Sequence, residues 1–132
     1  VITVLSRYMG INLRDYDIHL NFPGGTPVDG PSAGISMATA IYSSLTGVPV
    51  DPLVAMTGEL SVRGFVRPIG GVQAKIEAAI DAGIKKIIIP QQNWQQGFKH
   101  NFAARIIPVN RLEEVFKEAL LVKEPRAALP SH

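Results

Sequence analysis

Short, unbroken apolar runs alternate with longer segments of helical period along this chain, and that alternation limits what it can fold into. "LVAM", "KKIIIP" and "ARIIPV" are too short for helices, and past the leading lysines and arginine they are wholly apolar. Runs of that kind read as strands buried on both faces of a sheet. Between them lie segments with a single apolar stripe. From Ser32 to about Thr46 the positions Ile35, Ala38, Ile41, Tyr42 and Leu45 share one helical face, closed by Gly47. "VQAKIEAAIDAG" repeats the pattern with Ile76, Ala79 and Ile80, capped by Gly83. "NRLEEVFKEALL" reads as a third helix with Asn110 as its N-cap. At the start, Val1, Val4, Leu5 and Tyr8 fit a short stripe ending at Gly10. The expected architecture is an α/β (α+β) layered fold with short mixed strands and three to four helices.

Other segments complete the outline. "DYDIHLNFP" alternates as a strand through Ile18, Leu20 and Phe22, and "GGTPVDGP" is a loop. "ELSVRGFVRPIGG" reads as two strand pieces around Arg63-Gly64 and then a glycine loop. A right-handed strand–helix–strand crossover is expected from Val66 through Ile89. "QQNWQQGFKHN" is a polar surface element in which Trp94 and Phe98 cover the edge of the core. Glu59 and Arg63 make a surface ion pair at most. Residues 1–124 are expected to form one domain and residues 125–132 a loose tail.

Composition excludes several classes of function. The chain has 132 residues, 46% hydrophobic and 18% charged, which is a globular composition. A formal net charge of +2, with no basic block, gives no footprint for nucleic acid. Cysteine is absent, so neither a thiolate nucleophile nor a Cys-based metal site exists; this fits a cytoplasmic protein. No apolar run approaches the ~18 residues of a membrane span.

Chemistry concentrates around "TPVDGPSAG". Gly25, Gly30 and Ser32 imitate phosphate-loop spacing, but Pro31 replaces the lysine and removes a backbone N–H, and Asp29 repels phosphate. A serine at a helix start lies beside unpaired N–H groups that can receive an oxyanion. The histidines, His19, His100 and His132, are scattered, and none is marked as its base. Lys75, after Gly70-Gly71, falls in the first turn of the second helix beside Ile76. A base drawn from lysine needs the neutral amine, which desolvation and a helix N-terminus both favour. Physics alone leaves blander readings open. Ser32 can be a helix-start residue, Lys75 a solvated lysine, Asp29 a turn residue and Thr57 an ordinary strand residue.

Taken together, "PVDGPSAGISMATAIYSSLTGVPV" and "VAMTGELSVRGFVRPIGGVQAKIEAAIDAGIKKIIIP" resemble the proteolytic domain of the ATP-dependent Lon proteases, most closely the B-type. The likeness runs from about Asp17 to Pro108 and more weakly to Leu121. It implies a Lon proteolytic-domain-like fold and a Ser-Lys dyad peptidase. Ser32 matches the family's nucleophile and Lys75 its general base. Thr57 and Asp29 match supporting residues, and the backbone at Gly30, Ser32 and Ala33 would hold the oxyanion. The resemblance further implies protein substrates and a hexameric ring. Neither metal nor organic cofactor enters the peptidase chemistry. ATP and Mg would be used by an ATPase module, whose phosphate-loop motif this sequence does not contain.

Two departures accompany the likeness. The family's domain has a further N-terminal portion, mostly strands, and many members carry a second histidine where this chain has Asn21. The first leads us to expect an isolated fragment that is weakly active or inactive and assembles poorly. A non-catalytic Lon-like ring or scaffold module of a DNA-maintenance protein is the alternative, and an inactive excised fragment is a further one. The intact set of Ser32, Lys75, Asp29 and Thr57 argues for the enzyme.

Overall fold

The computed structural model describes residues 1–10, 34–98 and 102–121. In chain order these form α1 (Ile2–Met9), α2 (Gly34–Thr46), β1 (Val54–Met56), β2 (Glu59–Leu60), β3 (Val66–Arg67), α3 (Val72–Asp81), β4 (Lys86–Pro90), a 3-10 turn (Gln91–Asn93), β5 (Arg105–Val109) and α4 (Leu112–Ala119). The expected strand at "DYDIHLNFP", the loop before Ser32 and the tail lie outside the described residues.

β1, β4 and β5 make a parallel sheet in the order β1-β4-β5, and β2 and β3 form a separate antiparallel hairpin. The crossover therefore differs from the expected one. It starts at β1, not at Val66, and the β2–β3 hairpin is inserted before α3 brings the chain back to β4. Val66 pairs within the hairpin, opposite Leu60.

Successive residues of β4 point to opposite faces, which explains its unbroken apolar run. Ile88 joins Val109 and Val66 in a core with Val4 and Leu5 of α1, Ile35, Ala38 and Ile41 of α2, and Leu112, Val115, Phe116 and Ala119 of α4. Ile87 and Ile89 face the other way, toward Val72 and Ile76 of α3, Phe98, Ala104 and Ile106. β4 is thus buried on both sides, as its composition demands. The sequence predicts the same for β1, but that strand is only half-buried along its length. It pairs with β4 on one side and with no other described strand, so its exposure follows from its place at the end of the row.

Helix ends follow local chemistry. Gly10 takes a left-handed conformation (φ 73°) and donates its N–H to Ser6 O, ending α1. At the end of α3, Gly83 donates to Ile80 O and Ile84 to Ala79 O, the paired bonds of a Schellman motif. α4 departs from expectation by one residue. Arg111, not Asn110, is its N-cap, and Glu114 Oε1 reaches back to accept the N–H groups of Asn110 (2.6 Å) and Arg111 (2.8 Å). Asn110 uses its carbonyl instead to accept the Val66 N–H at 2.7 Å, tying the hairpin to the end of β5.

α1, α2 and α4 meet through three rings. Tyr42 and Phe116 stack with centroids 4.3 Å apart, and Tyr8 presents an edge to each at 5.8 and 5.4 Å. Such pairs contribute about 0.5–1.5 kcal/mol beyond their buried area. Partial burial there, and then the neighbouring Tyr42 and Glu113, push the Tyr8 phenol above its ordinary value. Glu59 pairs with Arg67 across the hairpin at 3.9 Å rather than with Arg63, because strand register sets them opposite each other. Among the described residues no helix is long and apolar enough to cross a membrane.

Candidate active site

Thr57 stands where β1 leaves the sheet. Its N–H donates to Ile88 O of β4 at 3.1 Å, and the residue is buried. The chain then turns through Gly58 into β2. That exit is where the first turn of α2 lands. Ile35 N–H donates to Gly58 O at 3.3 Å, and Ser36 Oγ donates to Met56 O at 3.4 Å. One turn further on, Thr39 Oγ1 donates to Ile35 O at 2.8 Å and lies 3.5 Å from Met56 Sδ. A Cβ at Gly34 would sit 2.8 Å from the backbone nitrogen of Leu60 and 3.0 Å from its Cβ, so only glycine fits. Gly58 is equally tight, its Cβ position 2.8 Å from Val66 Cγ1 and 3.2 Å from Ile35 Cδ1.

Ser32 precedes Gly34 by two residues in sequence. With Asp29, Gly30 and Ala33 it lies outside the described residues, as do His19 and Asn21.

Lys75 lies in the first turn of α3. Gly71, in the left-handed region at φ 67°, is the N-cap, with no side-chain cap bond, and its carbonyl accepts the Lys75 N–H at 3.2 Å. Lys75 is half-buried beside the fully buried Ile76, at the border of the apolar face where the sequence sets it. α3 runs between two parallel strands, so it must travel against them. Its first turn is therefore at the carboxyl end of β1 and β4. Thr57, the first described turn of α2 and the Lys75 turn share that edge, which is where parallel α/β sheets place their reactive groups.

Sequence reasoning missed one residue at this edge. Asn93, in the 3-10 turn after β4, grips the backbone of Ile69 just before Gly70-Gly71. "QQNWQQGFKHN" offers only polarity as a signal. Trp94 and Phe98 of the same segment do cover the second core, as expected, with Phe98 buried.

Comparison with known proteins bears on the same residues. Residues 6–122 match the family model of the Lon protease (S16) C-terminal proteolytic domain. The chain is 52% identical over 132 residues to Lon protease 2 of Bacillus subtilis (strain 168), covering 100% of this chain and 24% of that protein. It is 46% identical over 124 residues to the Archaeal Lon protease of Archaeoglobus fulgidus, covering 91% of this chain and 20% of that one. It is 53% identical over 110 residues to the Lon protease of Azorhizobium caulinodans, covering 80% and 13%. The chain thus spans about a quarter or less of the length of these relatives. An α/β layer structure, a glycine-keyed helix start and a lysine at the carboxyl edge of a parallel sheet thus occur in a sequence matched almost end to end, and the chain belongs to the Lon protease (S16) C-terminal proteolytic domain family.

Proposed function

We propose that this chain is the peptidase core of an ATP-dependent, B-type-like serine endopeptidase that degrades unfolded proteins with a Ser32–Lys75 dyad. The observation that carries the reading is the position of Lys75, half-buried in the first turn of α3 at the sheet edge that also bears Thr57. Ser32 Oγ attacks the scissile carbonyl carbon. The neutral Lys75 amine takes the hydroxyl proton and passes it to the leaving amine, and water then resolves the acyl-enzyme. Backbone N–H groups at Gly30, Ser32 and Ala33 hold the oxyanion. Asp29 and Thr57 support the dyad.

The working protein in this reading is a homo-hexameric ring in the cytoplasm, acting on protein substrates and touching neither nucleic acid nor membrane through this domain. No metal or organic cofactor enters the peptide-bond chemistry, and an attached ATPase module spends ATP and Mg. The scaffold alternative is not favoured, because the relatives are named as proteases across their matched regions.

The test uses the full-length enzyme and a fluorogenic peptide. Ser32→Ala should lower turnover by about 10⁶-fold with unchanged circular dichroism. Lys75→Arg should be nearly as damaging as Lys75→Ala, since arginine stays protonated and cannot serve as a base. Turnover near wild type in either Ser32→Ala or Lys75→Arg would remove the dyad from consideration.

A further inference from the structure

The segment that leads into the Lys75 turn has little conformational preference of its own. Ile69 is followed by Gly70 and Gly71, and α3 starts at Val72. Among the described residues, a Cβ at either glycine would meet no heavy atom within 4 Å, and the N-cap makes no side-chain bond. Neither packing around these glycines nor capping fixes the direction in which α3 leaves the loop. Glycine also loses more backbone freedom on ordering than any other residue, so the pair contributes no direction of its own.

Asn93 sets it. Its Oδ1 accepts the Ile69 N–H at 2.9 Å and its Nδ2 donates to Ile69 O at 3.0 Å. One planar amide thus satisfies both main-chain groups of one residue, as a directly opposed residue does in an antiparallel hydrogen-bonded pair. Both bonds are partly shielded from water. Asn93 is itself well anchored. It ends the 3-10 turn that follows Pro90, the last residue of β4, and Trp94 N–H closes that turn on Gln91 O at 3.1 Å. Ile69 and Trp94 pack on the same core as Ile89. β4 is the central strand, bonded on one side to β1 and on the other to β5. The clasp therefore ties the entry of α3 to the carboxyl end of the strand whose Ile88 carbonyl also receives the Thr57 N–H.

We infer that Asn93 is a positioning residue for the peptidase: by holding the Ile69 backbone it fixes the first turn of α3, and with it Lys75, relative to Thr57 and the start of α2. The inference rests on the Ser32–Lys75 reading above. Asn93 acts through Lys75 and touches neither substrate nor reacting atoms. An aspartate at this place keeps the acceptor for Ile69 N–H but sets an anionic oxygen against Ile69 O, leaving half the clasp and adding repulsion.

The test measures kcat and KM separately for a fluorogenic peptide in the full-length enzyme, with Asn93→Ala and Asn93→Asp. Ångström-scale misplacement of a reacting group lowers kcat by about tenfold to a hundredfold, and KM should stay within about twofold. Amide exchange at Ile69 reports the clasp directly and should accelerate in Asn93→Ala. A double-mutant cycle separates positioning from general loosening. Added to Lys75→Ala, Asn93→Ala should leave the residual turnover unchanged, whereas an effect independent of Lys75 multiplies the two losses. Wild-type kcat with an unprotected Ile69 amide overturns the inference, and so does a multiplicative cycle. If Asn93→Ala fails to fold, the same cycle with Asn93→Asp decides the matter on the same two outcomes. Retention of turnover by Lys75→Ala itself marks failure of the dyad reading beneath it.

Discussion

Among the described residues, Gly34 at the start of α2 is tightly hemmed in and the two glycines before α3 stand in the open, although both helices begin at the same edge of the sheet. α2 is set by contact. Gly34 abuts the Leu60 backbone, Ile35 is fully buried, and Gly58 is hemmed in by Val66 and Ile35. α3 is seated on the second core by Val72 and Ile76, while the loop that enters it is held by hydrogen bonds. A Cβ on either of the two glycines before α3 would meet no described atom within 4 Å, and the Asn93 amide supplies the restraint there. The difference teaches what each half of the site tolerates. A sterically keyed turn is sensitive to volume, whereas a clasped turn is sensitive to the loss of a donor or acceptor and indifferent to added bulk at the glycines, backbone conformation permitting.

Substitutions on the two sides probe that contrast, beginning with the largest effect. Ile35→Ala and Ile76→Ala each delete a fully buried side chain, and such truncations cost about 2–5 kcal/mol. Ile35 should fall near the upper end because it is locked between Gly58 and the larger core, and Ile76 nearer the lower end. Urea unfolding of both variants measures this, and a reversed order would break the comparison at its root. Gly34→Ala comes next. Alanine is the better helix former, yet the clash with Leu60 should destabilise the domain by about 1–3 kcal/mol, as overpacking does. A more stable Gly34→Ala protein would mean that α2 is not sterically keyed.

Gly71→Ala should cost about 1–2 kcal/mol in the same assay, from the left-handed backbone alone, since space is open. Gly71→Asn should recover part of that loss. Gly70→Ala is the smallest effect. The position is open and has no positive φ, so the alanine should be neutral or raise stability by up to about 0.5–1 kcal/mol through a less free unfolded chain. A marked loss at Gly70 would reveal a hidden contact at the entry of α3 and shrink the contrast.

Much of the fold is legible in the sequence where the determining chemistry is local. Gly10 and Gly83 mark their helix ends because left-handed caps depend on one residue and its immediate neighbours. The run of isoleucines in β4 is readable only as a strand covered on both faces. What escapes depends on partners distant in sequence. A crossover from Val66 is the natural expectation because the sequence does not reveal that β1 pairs with β4 past an inserted hairpin. Proximity along the chain matches Glu59 to Arg63, while cross-strand register gives it Arg67. Asn110 has the residue type of a cap for α4, but its carbonyl is committed to Val66 and the cap falls one residue later. At the site, resemblance rather than physics singles out Lys75 and Thr57, and physics leaves each with an ordinary reading. Neither route finds Asn93, since a side-chain clasp on a backbone 24 residues away leaves no periodic trace.

The inserted hairpin also bears on the order in which the chain assembles. β2–β3 is the sole strand pairing among the described residues that a tight turn can close, and hairpins of this kind form in about 1–10 μs. Every pairing in the parallel sheet needs a long excursion of chain first, which slows folding. The hairpin is stapled to the junction of β5 and α4 by the Val66–Asn110 and Leu112–Gly64 bonds. A rapidly formed element thus waits for the last strand and helix to arrive. Leu112→Pro removes the N–H that Gly64 O accepts, at the first helical position, where a proline backbone fits, and it also trims the buried side chain at the seam. Weakening the staple in this way should accelerate unfolding and leave refolding nearly unchanged, so the chevron plot should move mainly in its unfolding limb. In kinetic terms that outcome would make the seam a late latch, one that governs how long the protein stays in its native state.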